Sequence, residues 1–482
     1  MNLKGKKILF ARICGTGVSS LAITCKNAGA DVIGVDLEYY PPVSTKLEEE
    51  HIPCYKMERF QELLDSEKPD LIVVGNALNG KSEEAKIITE GRIPYYSMPS
   101  FMEEFLLGGK SPVVISGTHG KTTTTTVFSE LLTKLGRKPS YMIGGIPEFS
   151  GSNSAYFEGS GYYVIEGDEY DTAFFDKGPK FLHYLPETTV VTSIEFDHAD
   201  IYDSVDSIFE NFKKLVGITK KRVILSLDFD YNLKLRGFIP PEKLFTYSIT
   251  DGSADLFLKF EKNINNLMQF SARFADGSEY LFTTPLFGRQ NLMNLGALVA
   301  FLKCEGFDLN DPELKSVFGS FEGIKRRQEY LGSINGGLIY SDFAHHPTAA
   351  KLTLESFLEF FPDKKINVVF DPATNSNGQN VFESQYTEIF KAAHRFVLGF
   401  PPKAEKFPPE RQFVPQRVVD TINSGCPGKA LYLPNVDDIV KWVKDFSSKN
   451  TVTLVMSNSG FGGFFTKIAE FFDLQKGKDN GK

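Results

Sequence analysis

The chain has 482 residues, 41% of them apolar and 24% charged, which is enough to bury several cores and is an ordinary globular composition. Lys and Arg total 53 against 61 Asp and Glu, a net charge of -8, and this excludes a general nucleic-acid binder, whose phosphate contacts need a basic surface. No window approaches the roughly 18 apolar residues of a membrane span, and Arg12 breaks the short apolar run that follows the basic N-terminus, which argues against a signal peptide. Cys14, Cys25, Cys54, Cys304 and Cys426 are odd in number and scattered, with no CxxC pair, a pattern of reduced thiols in a cytoplasmic protein.

Residues 6–13 read as a strand, followed by Gly15 and Gly17 and an amphipathic stretch from Ser19 to Ala28. Residues 30–36 form a second strand ending in Asp36, and 69–78 a third. A glycine turn between strand and helix, with an acid closing the next strand, indicates a Rossmann-like domain over 1–109. The glycine signature, Gly15-x-Gly17-x-x-Ser20, is short and by itself also fits a plain tight turn.

A second domain is expected over 110–328. Strands are expected at 162–169, 188–197 and 222–227, then β-like runs from 254 to 284 with a turn at Asp276-Gly277, then a helix over 288–306 closed by Gly306. A third, again a mostly parallel sheet wrapped by helices, is expected over 329–482, with a strand, turn and helix over 337–361 and strands at 366–372, 395–400, 430–434 and 451–458. The fold class is therefore α/β in three domains: Rossmann-like, a central P-loop ATPase-like domain, and a C-terminal Rossmann-like parallel sheet. The Phe-rich stretches 357–361 and 461–472 read as core.

The sharpest motif is Gly117-Thr118-His119-Gly120-Lys121-Thr122-Thr123, which follows an apolar strand and opens a helix. Small residues let backbone N–H groups close on phosphate oxygens, and the helix N-terminus adds a favourable dipole. Lys121 is placed to reach the terminal phosphates, and Thr122 to offer its hydroxyl to Mg²⁺. Downstream, Glu166, Asp168, Glu169 and Asp171 crowd a strand end and require cations or donors to answer them; Mg²⁺, a hard cation, suits such oxygen donors. A second acidic cluster holds Glu195, Asp197 and Asp200 around His198, whose neutral imidazole is available as a metal ligand.

These three segments in this order resemble the central domain of the Mur ligases, and the resemblance extends over nearly the whole chain. It covers 13–16, 40–45, 75–77, 143–147, 168–177, 195–201, 342–348 and 456–463, and is strongest to the branch that ligates recycled cell-wall peptide. The resemblance implies an ATP-dependent reaction that joins the carboxylate of UDP-N-acetylmuramate to the amine of the short murein peptide L-alanyl-γ-D-glutamyl-meso-diaminopimelate through an acyl phosphate. It implies Gly15, Thr16, Gly17 and Asp36 at the UDP-sugar, and Gly117 to Thr123 with Asn291, Asn294, Arg327 and Asp342 at ATP. Thr122, Glu169 and His198 are implied as Mg²⁺ ligands, and Lys121, His198 and His345 as catalytic. No nucleic-acid or membrane partner is implied, and a monomer or weak homodimer is expected.

One departure stands out. Family members usually carry Arg in the segment here reading Phe370-Asp371-Pro372-Ala373-Thr374-Asn375, and Ala373 occupies that place. This bears on the identity of the peptide rather than on the ligase reaction. The rival readings are a UDP-N-acetylmuramate–L-alanine ligase, a nucleotide-binding relative without turnover, and a P-loop NTPase that needs no amine. Lys213 and Lys214 read as solvated surface lysines, and His345-His346-Pro347 as a helix start.

Overall fold

Short runs of Val, Ile and Leu bounded by Gly and Pro form fully buried parallel strands here, because each is covered by helices on both faces. A computed structural model of the protein describes residues 3–41, 43–195, 204–374 and 376–473. The chain divides into two compact units, Met1–Pro285 with Gln290–Gly323, and Leu286–Arg289 with Ile324–Lys482.

Among the described residues the first unit contains two large sheets and a two-stranded hairpin, Asp171–Ala173 with Asp176–Pro179. The strands Lys7–Ala11, Asp31–Asp36, Cys54–Lys56, Leu71–Val74 and Tyr95–Ser97 pair in parallel, in the spatial order third, second, first, fourth, fifth. That order reverses direction between Lys7–Ala11 and Leu71–Val74, and crevices for ligands open at such switch points, beyond the carboxyl ends of the strands. The helix Thr16–Asn27 starts there, with Gly15 as its N-cap. The strand expected over 69–78 stops at Val74, level with Ala11 at the end of the strand it pairs with.

The second sheet has ten strands, with a parallel centre that includes Ser111–Ser116, Tyr162–Gly167, Thr188–Val191 and Arg222–Ser226. The strand expected over 188–197 ends at Val191 because Thr192 turns to hydrogen-bond the carbonyls of Ser116 and His119. Strands Leu256–Ile264, Leu267–Phe274 and Glu279–Thr284 form the antiparallel meander expected from the turn at Gly277. The helix Arg289–Cys304 runs into Gly306, whose φ of 76° closes it as the sequence reading expected. A continuous apolar core joins the sheets: Met98, Phe101 and Phe105 share it with Tyr163, Phe181 and Tyr184. Among the described residues no helix is long and apolar enough to cross a membrane, and all five cysteines are free thiols.

The second unit carries one six-stranded sheet. Its first two strands, Glu329–Ile334 and Gly337–Asp342, form a hairpin of which the sequence reading included the second strand and not the first. Asn335 and Gly336 sit between them at φ 51° and 74°, the two left-handed residues that an Asn-Gly hairpin turn needs. Thr451–Met456, Lys365–Phe370, Arg395–Leu398 and Ala430–Tyr432 follow in parallel. Phe287 stacks on Phe360 at 4.2 Å, which is why the short segment Leu286–Arg289 belongs to this unit. Phe357, Phe360, Phe361, Phe461 and Phe464 are core, whereas Phe471 is 39% exposed, with the Lys444 ammonium over its ring.

Candidate active site

The loop from Gly117 to Gly120 links the strand Ser111–Ser116 to the helix Lys121–Lys134. Both glycines are required by geometry. Gly117 has φ 142°, and a Cβ there would sit 2.1 Å from Thr192 Oγ1 and 2.8 Å from the Ser193 nitrogen. Gly120 has φ 85°, and its Cβ would lie 2.5 Å from Asn294 Oδ1. The loop rests on the segment after Val191: Thr118 N donates to Ser193 O (2.8 Å), His119 N to Ser193 Oγ (2.9 Å), and Glu195 N to Thr118 Oγ1 (2.9 Å). His119 presents its ring to Glu195, Nε2 to Oε2 3.4 Å. Thr192 and Ser193, which back the loop, carry no motif that the sequence could have flagged.

Lys121 folds back across the loop. Its Nζ donates to the Gly117 carbonyl (2.6 Å) and lies 3.1 Å from Glu169 Oε2. Burial opposes its charge, but Glu169, Asp168 and Glu166 outweigh that and hold its pKa above the ordinary lysine value. Each of the four crowded acids has a separate answer. Glu166 accepts from Thr122 Oγ1 (3.1 Å) and from the Gly144 N–H (2.5 Å). Asp168 pairs with Lys180 at 2.9 Å, and Asp171 with Lys177 at 3.1 Å. Burial, then the nearby charge of Asp168, pushes Glu166 up to about 7. Burial works the same way on Asp168, but Lys180 and Lys121 prevail and keep it below the usual range.

This donor set suits Mg²⁺. It consists of hard oxygens, a threonine hydroxyl beside carboxylates, with Lys121 standing against Glu169 as a built-in cation. Among the described residues no group of three or more His, Cys, Asp or Glu is gathered for a metal ion. His198 lies outside the described residues, as do Asp197 and Asp200.

Asn291 and Asn294 share one face of the helix Arg289–Cys304, as their spacing requires. Asn294 is buried and occupied within the fold: its Oδ1 accepts from Thr124 Oγ1 (3.2 Å) and its Nδ2 donates to Asn291 Oδ1 (3.4 Å). It thereby anchors the helix behind the phosphate loop.

At the first sheet's switch point, Gly15, Thr16 and Gly17 form the turn that enters the helix Thr16–Asn27. Asp36 lies beneath that turn, buried. Its carboxylate accepts from Cys14 N (2.8 Å) and Leu37 N (2.8 Å), and its Oδ1 is 2.7 Å from Arg12 Nη1.

In the second unit three neighbouring strands end level with one another, Asp342 opposite Met456 and Phe370 opposite Met456. Asp342 accepts from Ala344 N (2.8 Å) and Gln328 N (2.9 Å). Burial raises its pKa, against the pull of the Arg327 charge and these N–H groups. Arg327 lies with its guanidinium 5.2 Å from the Phe343 ring centre. Asp371 accepts from Ser457 Oγ (2.7 Å) and Ser459 Oγ (2.5 Å). His345 Nδ1 is 2.9 Å from the Phe343 carbonyl, and the His345 carbonyl accepts from Tyr386 OH (2.7 Å) and Asn377 Nδ2 (3.0 Å). Pro347 opens the helix Pro347–Phe360 with His346 as N-cap, the helix start read from the sequence. Ala373 is buried. Lys213 pairs with the neighbouring surface residue Glu210 at 2.9 Å.

A phosphate loop backed by a carboxylate-rich strand end, on a chain that also carries a parallel five-stranded sheet and a mostly parallel six-stranded one, defines a nucleotide-dependent α/β enzyme. Family comparison agrees along the chain: residues 7–109 match the Mur ligase family catalytic domain, 115–302 the Mur ligase middle domain, and 326–459 the Mur ligase glutamate ligase domain. The chain belongs to the Mur ligase family, ATP-dependent ligases that form amide bonds in cell-wall peptide synthesis.

Two curated relatives bear the name UDP-N-acetylmuramate–L-alanyl-gamma-D-glutamyl-meso-2,6-diaminoheptandioate ligase. The one from Haemophilus influenzae is 33% identical over 481 residues, 98% of this chain and 100% of the relative. The one from Escherichia coli K12 is 31% identical over 464 residues, 95% and 96% of the two chains. The crystal structure of a murein peptide ligase from Psychrobacter arcticus superposes with a TM-score of 0.63 at 28% identity, covering 97% of this chain and 98% of that one.

Proposed function

We propose that this chain uses ATP to join the carboxylate of UDP-N-acetylmuramate to the amine of the free tripeptide L-alanyl-γ-D-glutamyl-meso-diaminopimelate. The observation that carries this reading is the 31–33% identity, over 95–98% of the chain, to relatives named for that reaction. We assign 1–109 to the UDP-sugar, 110–328 to ATP and 329–482 to the acceptor and the closing of the nucleotide site.

A carboxylate is a poor electrophile, so the reaction needs activation. A carboxylate oxygen attacks the γ-phosphorus, ADP leaves, and an acyl phosphate results. The peptide amine then attacks the acyl carbon, loses a proton, and phosphate departs as the amide forms. The N–H groups of Gly120 and Lys121, at the start of the helix, bind phosphate oxygens while those of Thr118 and His119 hold the loop on Ser193, and Lys121 supplies a fixed positive charge where charge moves from γ- to β-phosphate. Its pairing with Glu169, with Nζ also bonded to the Gly117 carbonyl, holds that charge in place before substrate arrives. Glu166 orients Thr122 and tethers Gly144 through the two oxygens of one carboxylate. Mg²⁺ would be held by Thr122, Glu169 and His198, and supplies charge neutralisation of the phosphates. In this reading Asn291, Asn294, Arg327 and Asp342 are assigned to the nucleotide and His345 to the incoming amine.

The test is phosphate release from Mg-ATP with UDP-N-acetylmuramate, adding L-Ala or the tripeptide in turn. Release that requires the tripeptide and yields UDP-muramyl-tripeptide supports the proposal. Release with L-Ala alone assigns the chain to the L-alanine-adding branch, and release with neither amine present points to a plain NTPase.

A further inference from the structure

Arg12 is the residue at the switch point that the nucleotide-sugar reading has not used. It follows the strand Lys7–Ala11 and precedes the Gly15–Gly17 turn. Its φ is 64°, a left-handed conformation that glycine adopts freely and that residues with a Cβ rarely enter. A glycine would meet the backbone demand at no steric cost, so what the position retains is the side chain. Arg12 Nη1 lies 2.7 Å from Asp36 Oδ1, a contact of opposite charges rather than an aligned hydrogen bond, and Nε is buried with no hydrogen-bond partner. Asp36 in turn grips the turn from below through the N–H of Cys14 and is 4% exposed.

We infer that Arg12 is a positioning residue for the sugar nucleotide, cancelling the buried charge of Asp36 so that the Gly15–Gly17 turn can receive a pyrophosphate. The inference rests on the reading of 1–109 as the UDP-sugar domain. A bare carboxylate directly behind this turn would repel a ligand that carries negative charge at the same place. Neutralised by Arg12, Asp36 keeps its hold on Cys14 N and Leu37 N without that repulsion. The effect grows with ligand charge, which separates it from a merely structural role.

The test is calorimetric binding of UDP, UMP and uridine to the full chain. With Arg12→Gln, UDP is expected to bind on the order of tenfold more weakly or worse, UMP to lose less, and uridine to be nearly unchanged. Arg12→Gly, which suits the positive φ and so protects the fold, should give the same ranking. Arg12→Gln combined with Asp36→Asn should regain most of the UDP affinity, because no bare charge is left. In turnover, the KM for UDP-N-acetylmuramate should rise while the KM for ATP stays put. Equal losses for the three ligands, or a double variant weaker than the single one, would overturn the inference. If the unaltered chain ignores UDP, the substrate reading itself falls; if it binds UDP and the Arg12 variants bind equally well, the role of Arg12 alone falls.

Discussion

Lys121 and Glu169 offer a way to separate what the phosphate loop does for folding from what it does for catalysis. Lys121 is 13% exposed and Glu169 1%, with Nζ and Oε2 3.1 Å apart. Lys121→Ala leaves Glu169 facing Glu166 and Asp168 without its cation. Breaking a buried pair by removing one partner costs about 3–5 kcal/mol, and the residual exposure of the lysine favours the lower end of that range. The nucleotide-free variant should therefore unfold at clearly lower denaturant, while phosphate release falls by about 10²–10³ for the lost charge stabilisation. Adding Glu169→Gln removes the charge that Lys121 had neutralised. The double variant should regain much of the lost stability in equilibrium denaturation, yet remain inactive in the coupled phosphate assay. The reasoning fails if Lys121→Ala is as stable as the parent chain, or if the double variant recovers turnover.

Three further outcomes follow from the geometry. Gly117→Ala combines a positive φ with a Cβ 2.1 Å from Thr192 Oγ1, and should cost about 2–5 kcal/mol in thermal denaturation and abolish binding of ATP analogues. Glu166 is raised by burial, then by Asp168, from the ordinary 4.5 to about 7, so folding favours its protonated form. Its contribution is complete below the unfolded pKa and is lost as pH rises through about 7, a fall on the order of 3 kcal/mol that Glu166→Gln should flatten in metal- and nucleotide-free denaturation curves. Tyr386→Phe removes the hydroxyl that lies 2.7 Å from the His345 carbonyl and 2.6 Å from Asn377 Oδ1; it should cost about 1 kcal/mol of stability and lower kcat, with the KM for ATP unchanged.

What could be read from the sequence was whatever depends on neighbours in the chain. The phosphate loop was legible because Gly117, Gly120, Lys121 and Thr122 act through a turn they form themselves. The helix over 289–304 and its Gly306 stop were legible for the same reason. The Asn335-Gly336 hairpin had an equally local signal that the reading passed over. Long-range partnerships had none. Asn294 and Asn291 announce a shared helix face, but nothing local says that Thr124, 170 positions away, takes the Asn294 oxygen. Thr192 and Ser193 read as the end of an apolar strand, and their role under Gly117 appears once two strands far apart in sequence lie side by side. Arg12 looked like an interruption in an apolar run, because its partner is an acid at the end of a different strand.

The segment 168–177, one of those carrying the family resemblance, shows why such a stretch can be specific without being catalytic throughout. Of its first acids, Glu169 serves the phosphate loop through Lys121, and Asp168 is held by Lys180. The chain then turns back on itself as the hairpin Asp171–Ala173 and Asp176–Pro179. The tip of that hairpin packs against the five-stranded sheet of the first unit. Phe174 and Phe175 pack against the core of the five-stranded sheet, Phe175 edge-on to Tyr95 at 4.9 Å. Asp176 accepts from Ser97 Oγ (2.8 Å) and lies 2.9 Å from His183, whose other ring nitrogen is 2.9 Å from Glu103. One short sequence thus holds the carboxylates at the phosphate loop and fastens them to the sheet assigned to the sugar nucleotide. A reaction that must bring a sugar carboxylate to a γ-phosphate depends on the spacing between those two sites. The aromatic and charged contacts of the hairpin fix its tip on that sheet, so a change at Phe175 or Asp176 is expected to disturb the reaction without touching the acids that precede them.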